Sequence, residues 1–238
     1  MRGTMETAVI PGTFQLDRSR NATVQVFEHL RELIVTLALE PGAVLPRNDL
    51  TRYFNLSATP IRDALTRLGD EGLVDIFPQH VTRVRSVDLA SARQAQFLRL
   101  SVELEIVRTL SQKPEPALAQ TLLQLVERQR ACLEAGDLKN FTQIDLAFHQ
   151  QLYQAAQLEQ LWHTMRSGSG NLDRLRRLHL PLNGKAQSIL EEHSAIARAI
   201  GAGDPAAAQG CVRQHLSGTL SELDQLKLKY PSFMPPIA

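Results

Sequence analysis

The stretch LSATPIRDALTRLGDEGLV, Leu56–Val74, constrains this chain more than any other, because both ends of one short helix are written into it. Ser57 is a good N-cap, able to accept from the first backbone N–H groups. Pro60 falls within the first turn, where a missing N–H does no harm. Ile61, Ala64, Leu65 and Leu68 recur at helical spacing and form one apolar face. Thr59, Arg62, Thr66 and Arg67 are left outside that face. Gly72 stops the helix, as glycine does just beyond a last turn.

The neighbouring residues restrict the topology further. A helical pattern begins near Thr23 and carries Val24, Phe27, Leu30, Ile34 and Leu37, until Pro41-Gly42 signals a turn. A second short helix over Arg47–Phe54 turns Leu50 inward, and Asn55–Leu56 makes a tight turn into the Ser57 helix. Two short helices joined in this way, the second with a polar outer face, describe a helix-turn-helix. Leu73–Phe77 then reads as a strand, Pro78-Gln79-His80 as a turn and Val81–Val87 as a returning strand. A hairpin directly after the second helix of such a pair is a wing.

The winged segment has no excess of positive charge: residues 1–86 hold ten Arg and no Lys against ten Asp plus Glu. Any basic patch must come from arrangement. The residues placed to contact double-stranded DNA are Arg47, Arg52, Thr59, Arg62, Thr66, Arg67 and His80, with arginines on phosphates and Thr59 and Arg62 at base edges. Cys132 and Cys211 make no disulfide framework and suit a reducing compartment. No apolar run approaches the roughly 18 residues of a membrane helix, and the N-terminus lacks the apolar segment of a signal peptide. The expectation is a cytoplasmic protein without membrane contact.

From Asp88 onward the pattern is helical throughout, with helices expected near 88–111, 116–135, 138–156, 158–179, 185–202 and 204–228. The fold class is therefore mainly α: an N-terminal winged helix-turn-helix followed by an all-helical bundle. The expected divisions are a flexible arm over 1–21, the winged domain over 22–87, the helical domain over 88–230 and a tail over 231–238.

Four polar residues fall on or beside apolar stripes of the bundle. Asp145 and His149 lie one turn apart beside Phe141, Ile144, Phe148 and Leu152. His193 falls among Ile189, Leu190, Ile196 and Ile200, and His215 among Val212, Leu216 and Thr219. Burying a carboxylate unpaired costs several kcal/mol, and a neutral imidazole without a partner about 1–3. Convergence of Asp145, His149, His193 and His215 on one divalent metal satisfies all four, and a metal-free Asp–His network is the alternative. Zinc is the first expectation; nickel, manganese and iron also accept this donor set. An open coordination position could take a carboxylate. Arg99 and Glu103, one turn apart, and Arg174 are the candidate effector-binding residues, Arg177 being better explained by a surface ion pair; guanidinium grips carboxylate bidentately.

These residues carry a family resemblance. Pro41-Gly42, the Leu50 helix, SATPIRDALTRLGDEGLV and PQHVTRV resemble the winged helix-turn-helix of the GntR family of bacterial transcription regulators. Phe141–Ala156, Leu172–Pro181, Glu192–Asp204 and His215 resemble the FCD ligand-binding domain of its FadR-type branch. Together they span roughly residues 22–228. The resemblance implies a homodimer, a pseudo-palindromic operator and a small organic acid that modulates DNA binding. In metal-containing members one Asp and three His hold the ion, matching Asp145, His149, His193 and His215, and Arg99 is expected near the effector. Two positions depart from the pattern: Ala58 replaces the usual arginine after the serine, and His80-Val81 replaces Arg-Gly at the wing tip. Arg47 stands where an acidic residue is usual. The sequence shows no separate general base beside the Asp–His cluster and no nucleophile motif, so a non-enzyme is expected. The alternatives are a metalloenzyme and a ligand-binding protein with weakened DNA binding.

Overall fold

The computed structural model describes residues 10–77, 81–182 and 184–234. The chain divides into two compact units, one of residues 1–92, 170–177 and 225–238, the other of residues 93–169 and 178–224. No helix among the described residues is long and apolar enough to cross a membrane.

In the first unit, α1 (Ala22–Val35) is capped by Asn21, whose side chain accepts from the Val24 amide. β1 (Val44–Leu45), α2 (Arg47–Phe54) and α3 (Ala58–Asp70) follow. Asn55 takes φ 51°, the left-handed conformation that asparagine tolerates, and turns α2 into α3. Leu30 and Ile34 of α1, Leu50 of α2, and Ile61, Leu65 and Leu68 of α3 share one core. Each such side chain stabilises the unit by about 1.5–3 kcal/mol when fully buried.

The end of α3 is a double hydrogen-bonded stop. Leu73 N donates to Leu68 O at 2.9 Å, Gly72 N donates to Gly69 O at 2.9 Å, and Gly72 has φ +67°. Only glycine adopts that conformation without strain. Its start differs from the sequence expectation: Ser57 holds an extended N-cap conformation but makes no side-chain capping bond.

The wing strands are shorter than expected, β2 (Val74–Ile76) and β3 (Thr82–Val84). The expected turn residues Pro78, Gln79 and His80 lie outside the described residues. The sheet has order β1-β3-β2, with Val44 opposite Arg83 and Val74 opposite Val84, both pairs antiparallel. β1 is too short to show alternation, which is why periodicity misses it.

The segment expected as a loose arm is tied down where it is described. Phe14 packs edge-on against Phe54 with ring centroids 4.7 Å apart. The Gln25 amide accepts from Asp17 N at 2.9 Å and donates to Asp17 O at 2.8 Å. These contacts bury an aromatic and satisfy a buried amide, so residues 14–17 are part of the fold.

The helices of the second half are α4 (Leu89–Gln112), α5 (Pro116–Glu134), α6 (Leu138–Ala155), α7 (Glu159–Ser167), α8 (Gly170–His179), α9 (Lys185–Gly201), α10 (Pro205–Ser221) and α11 (Leu223–Lys229). Two expected helices are each divided. The first breaks at Gly168, where Ser169 N and Oγ both donate to Arg166 O and close α7. The second breaks at Glu222. In the second unit, α5 packs on α6 and α9, and α9 on α10. Leu122, Val126, Phe141, Phe148, Leu190 and Val212 lie in that core.

Residues 170–177 belong to the first unit, a placement the sequence boundaries at 22–87 and 88–230 do not contain. Gly170 makes it sterically possible, since a Cβ there would meet Leu73 Cδ2 at 2.8 Å. Arg174 is fully buried and donates to Arg85 O at 2.6 Å, Ser86 O at 3.3 Å and Asn171 Oδ1 at 2.5 Å. Burial lowers its pKa to about 10, so it keeps its charge at neutral pH. Arg174→Ala leaves the Arg85 and Ser86 carbonyls without this donor and should lower unfolding stability by about 1–3 kcal/mol. Urea titration monitored by circular dichroism measures the change, and an unchanged midpoint would contradict it.

Candidate metal centre and recognition helix

Three helices position the four polar residues expected at the bundle centre. α6 starts at Asp137, whose carboxylate accepts from Asn140 N, and its buried face carries Asp145 and His149 one turn apart. α9 carries His193 among buried Ile189, Leu190 and Ile196. α10 starts at Asp204, which accepts from Ala207 N with Pro205 just inside, and turns His215 inward beside Val212 and Leu216. All four residues are buried, and one donor atom from each lies within 4.8 Å of the others.

The geometry assigns the protons. His149 Nδ1 stands 2.8 Å from Glu103 Oε2, His215 Nδ1 2.8 Å from Glu192 Oε2, and His193 Nδ1 2.9 Å from Gln129 Oε1. Gln129 Nε2 donates to Phe141 O at 3.5 Å, which orients its oxygen toward His193. Each Nδ1 therefore faces an acceptor and carries the hydrogen, leaving each Nε2 a lone pair. Yet His149 Nε2 and His193 Nε2 each stand 3.2 Å from His215 Nε2, and Asp145 Oδ1 is 3.7 Å from His193 Nε2. Lone pairs facing one another and a carboxylate in a buried site repel unless a cation lies among them. Three imidazoles and a carboxylate are the donor set of zinc and similar divalent ions, and outer hydrogen bonds to Nδ1 are how such imidazoles are held. The residues present fit a metal ion.

Electrostatics favour the metal-binding form. Burial, reinforced by the Arg99 charge, holds His149 well below its ordinary pKa, with Asp145 opposing. Burial raises the pKa of Glu192, with Lys185 Nζ, 3.7 Å away, opposing it only in part. Phe148 lies parallel to the His193 ring at 4.0 Å and fixes its plane.

Arg99 and Glu103, expected as effector residues, are both buried on α4. Arg99 Nε donates to Glu103 Oε1 at 2.8 Å, while the other oxygen of Glu103 takes His149. Glu103 thus links the Arg99 guanidinium to the His149 imidazole. Arg174, the third expected effector residue, serves the first unit as described. Sequence reasoning missed Gln129 and Glu192. Gln129 carried a signal, because it extends the apolar row Leu122, Leu125 and Val126 of α5.

On α3, Thr59, Arg62, Thr66 and Arg67 are exposed, as are Arg47 and Arg52 on α2. Arg62 donates to Asp63 at 3.3 Å, Arg52 pairs with Asp49, and the Arg67 guanidinium lies 4.1 Å over the Phe27 ring. Asp63 and Asp70 share the outer stripe with Thr59 and Thr66 by helical spacing, which accounts for the neutral balance of the segment.

Comparison with known proteins matches both parts. Residues 22–84 match "Bacterial regulatory proteins, gntR family", and residues 94–218 match "FCD domain". A Streptomyces ambofaciens protein named as an uncharacterized HTH-type transcriptional regulator is 35% identical over 87% of this chain and 86% of its own length. The HTH-type transcriptional repressor RspR of Escherichia coli is 27% identical over 90% of this chain and 93% of its own. The solved structure of E. coli McbR/YncC superposes with TM-score 0.72 at 21% identity, covering 89% of this chain and 99% of that one, a likeness of fold.

Two outcomes follow from the site geometry. Glu103→Gln keeps an oxygen near His149 but removes the charge, and should weaken zinc binding by about 10–100-fold in competition titration, whereas His193→Ala should abolish it. The second concerns pH. The folded pKa of His149 lies below 6.5, so in that interval the unfolded chain binds a proton the native state does not, and stability rises with pH. Metal-free protein should therefore lose stability as pH falls through about 6.5. Equal urea midpoints at about pH 7.5 and about pH 5.5 would contradict that sign.

Proposed function

The chain belongs to the GntR family of bacterial transcription regulators, in the branch that carries an FCD domain, and from this we propose a homodimeric cytoplasmic regulator whose operator affinity is set by a small organic acid at a metal centre. The observation that carries the proposal is the buried Asp145–His149–His193–His215 cluster joined through Glu103 to Arg99. Asp145, His149, His193 and His215 would hold the ion. A bound divalent ion supplies a coordination position for a carboxylate oxygen. Arg99 supplies positive charge and further N–H donors for the same ligand.

The recognition end is α3. Its exposed Thr59 and Arg62 reach base edges, while Arg47, Arg52 and Arg67 supply phosphate contacts on a pseudo-palindromic operator. Ser57 leaves the first-turn amides of α3 uncapped by its side chain, and helix N-termini bind phosphate oxygens. Ala58 and Val81, which replace the family's usual arginine and glycine, either set the operator apart from the common family type or weaken the hold on DNA. Acid binding acts only to the extent that the ligand prefers one dimer shape over another.

The test is a gel shift on the promoter regions beside the protein's own gene, with the zinc-loaded full chain and a panel of organic acids. A specific complex is expected, weakening steeply between about 50 and 200 mM salt. At least one acid should change its affinity, and Arg62→Ala should cost about 1–3 kcal/mol of binding. An acid that binds tightly and leaves operator affinity unchanged is not the effector. Absence of any specific complex at low salt refutes DNA binding by this chain.

A further inference from the structure

We propose that the Tyr153 hydroxyl is a ligand-binding donor that, with Arg99, receives an oxygen of the organic anion beside the Asp145–His149–His193–His215 cluster. This rests on the effector reading above.

Tyr153 continues a row on α6. Asp145, His149 and Tyr153 are spaced four residues apart and lie on one helical face. The facing row on α4 is Arg99 and Glu103. Glu103 meets His149 at 2.8 Å, and one turn back along α4 stands Arg99, 2.8 Å from the other oxygen of Glu103. One turn on from His149 along α6 stands Tyr153. The charges of Glu103 and Arg99 both act on its phenol, and burial with Glu103 raises its pKa, so the group remains a protonated donor.

The hydroxyl has no use within the described fold. Tyr153 is fully buried, its ring packs edge-on against Trp162 at 5.2 Å, and its oxygen has no hydrogen-bond partner. The two oxygens of Glu103 are engaged by Arg99 and His149. Phenylalanine would fill the same space without burying a polar atom. A tyrosine beside a buried arginine and a metal-ligand cluster is instead the donor a bound anion requires.

Three groups would then anchor the ligand: an open position on a bound ion, the Arg99 guanidinium and the Tyr153 hydroxyl. A lone carboxylate has two oxygens. One oxygen on the ion and the other accepting from both Arg99 and Tyr153 would engage all three.

The test is Tyr153→Phe in the zinc-loaded full chain, by calorimetric titration with malate, citrate, oxalate and butyrate, with thermal melting and zinc content alongside. The expected result is that wild type binds at least one of the four. The variant should bind that acid about tenfold more weakly, with zinc content unchanged and a ligand-free melting temperature equal to or above wild type. Equal acid affinity in the two proteins overturns the role of Tyr153 and leaves the effector reading standing. A lower melting temperature in the ligand-free variant also overturns it, because the hydroxyl would then serve the fold. If none of the acids binds wild type, the effector reading and this inference fall together.

Discussion

Three imidazoles turn their Nε2 lone pairs toward one another and toward a carboxylate inside a buried core, with Nε2 atoms 3.2 Å apart. Such an arrangement is unfavourable by itself. It is held because α6, α9 and α10 are fixed by their apolar faces, and because Glu103, Gln129 and Glu192 each bind an outer imidazole nitrogen. The core side chains and the outer acceptors together impose the convergence, and a divalent cation relieves it. A cation bound there would supply the charge toward which these inner residues are turned.

The Glu103 carboxylate gives that centre a chemical extension. One oxygen orients His149 and the other holds Arg99, so the cation site and the guanidinium share a single buried group. An anion that drew on Arg99 would change what Glu103 offers His149. Coupling between ligand binding and metal affinity would then run through one side chain and, by linkage, act in both directions.

Much of this was legible in the sequence, for identifiable reasons. Apolar stripes place Asp145, His149, His193 and His215 on inner faces, and polar residues that interrupt such stripes need partners. α2 and α3 were readable because Asn55 and Gly72 mark their ends. Arg174 was not. Its acceptors are backbone carbonyls of Arg85 and Ser86, far away in sequence and of no particular residue type, so a buried arginine looked like a carboxylate ligand. β1 has two residues and no period. Phe14 and Gln25 anchor the arm through side-chain contacts that composition does not display. Gln129 was readable by the same argument as the histidines, and being uncharged it drew no attention.

The account stands or falls on whether a metal ion sits among the four inner residues. X-ray absorption at the metal edge on the purified full chain measures this directly. The account predicts one ion per chain ligated by three imidazole nitrogens at about 2.0–2.1 Å, with at least one oxygen at about 2.0–2.2 Å if the ion is zinc. A protein that retains no ion after zinc loading, or an ion whose first coordination sphere lacks histidine, would contradict it.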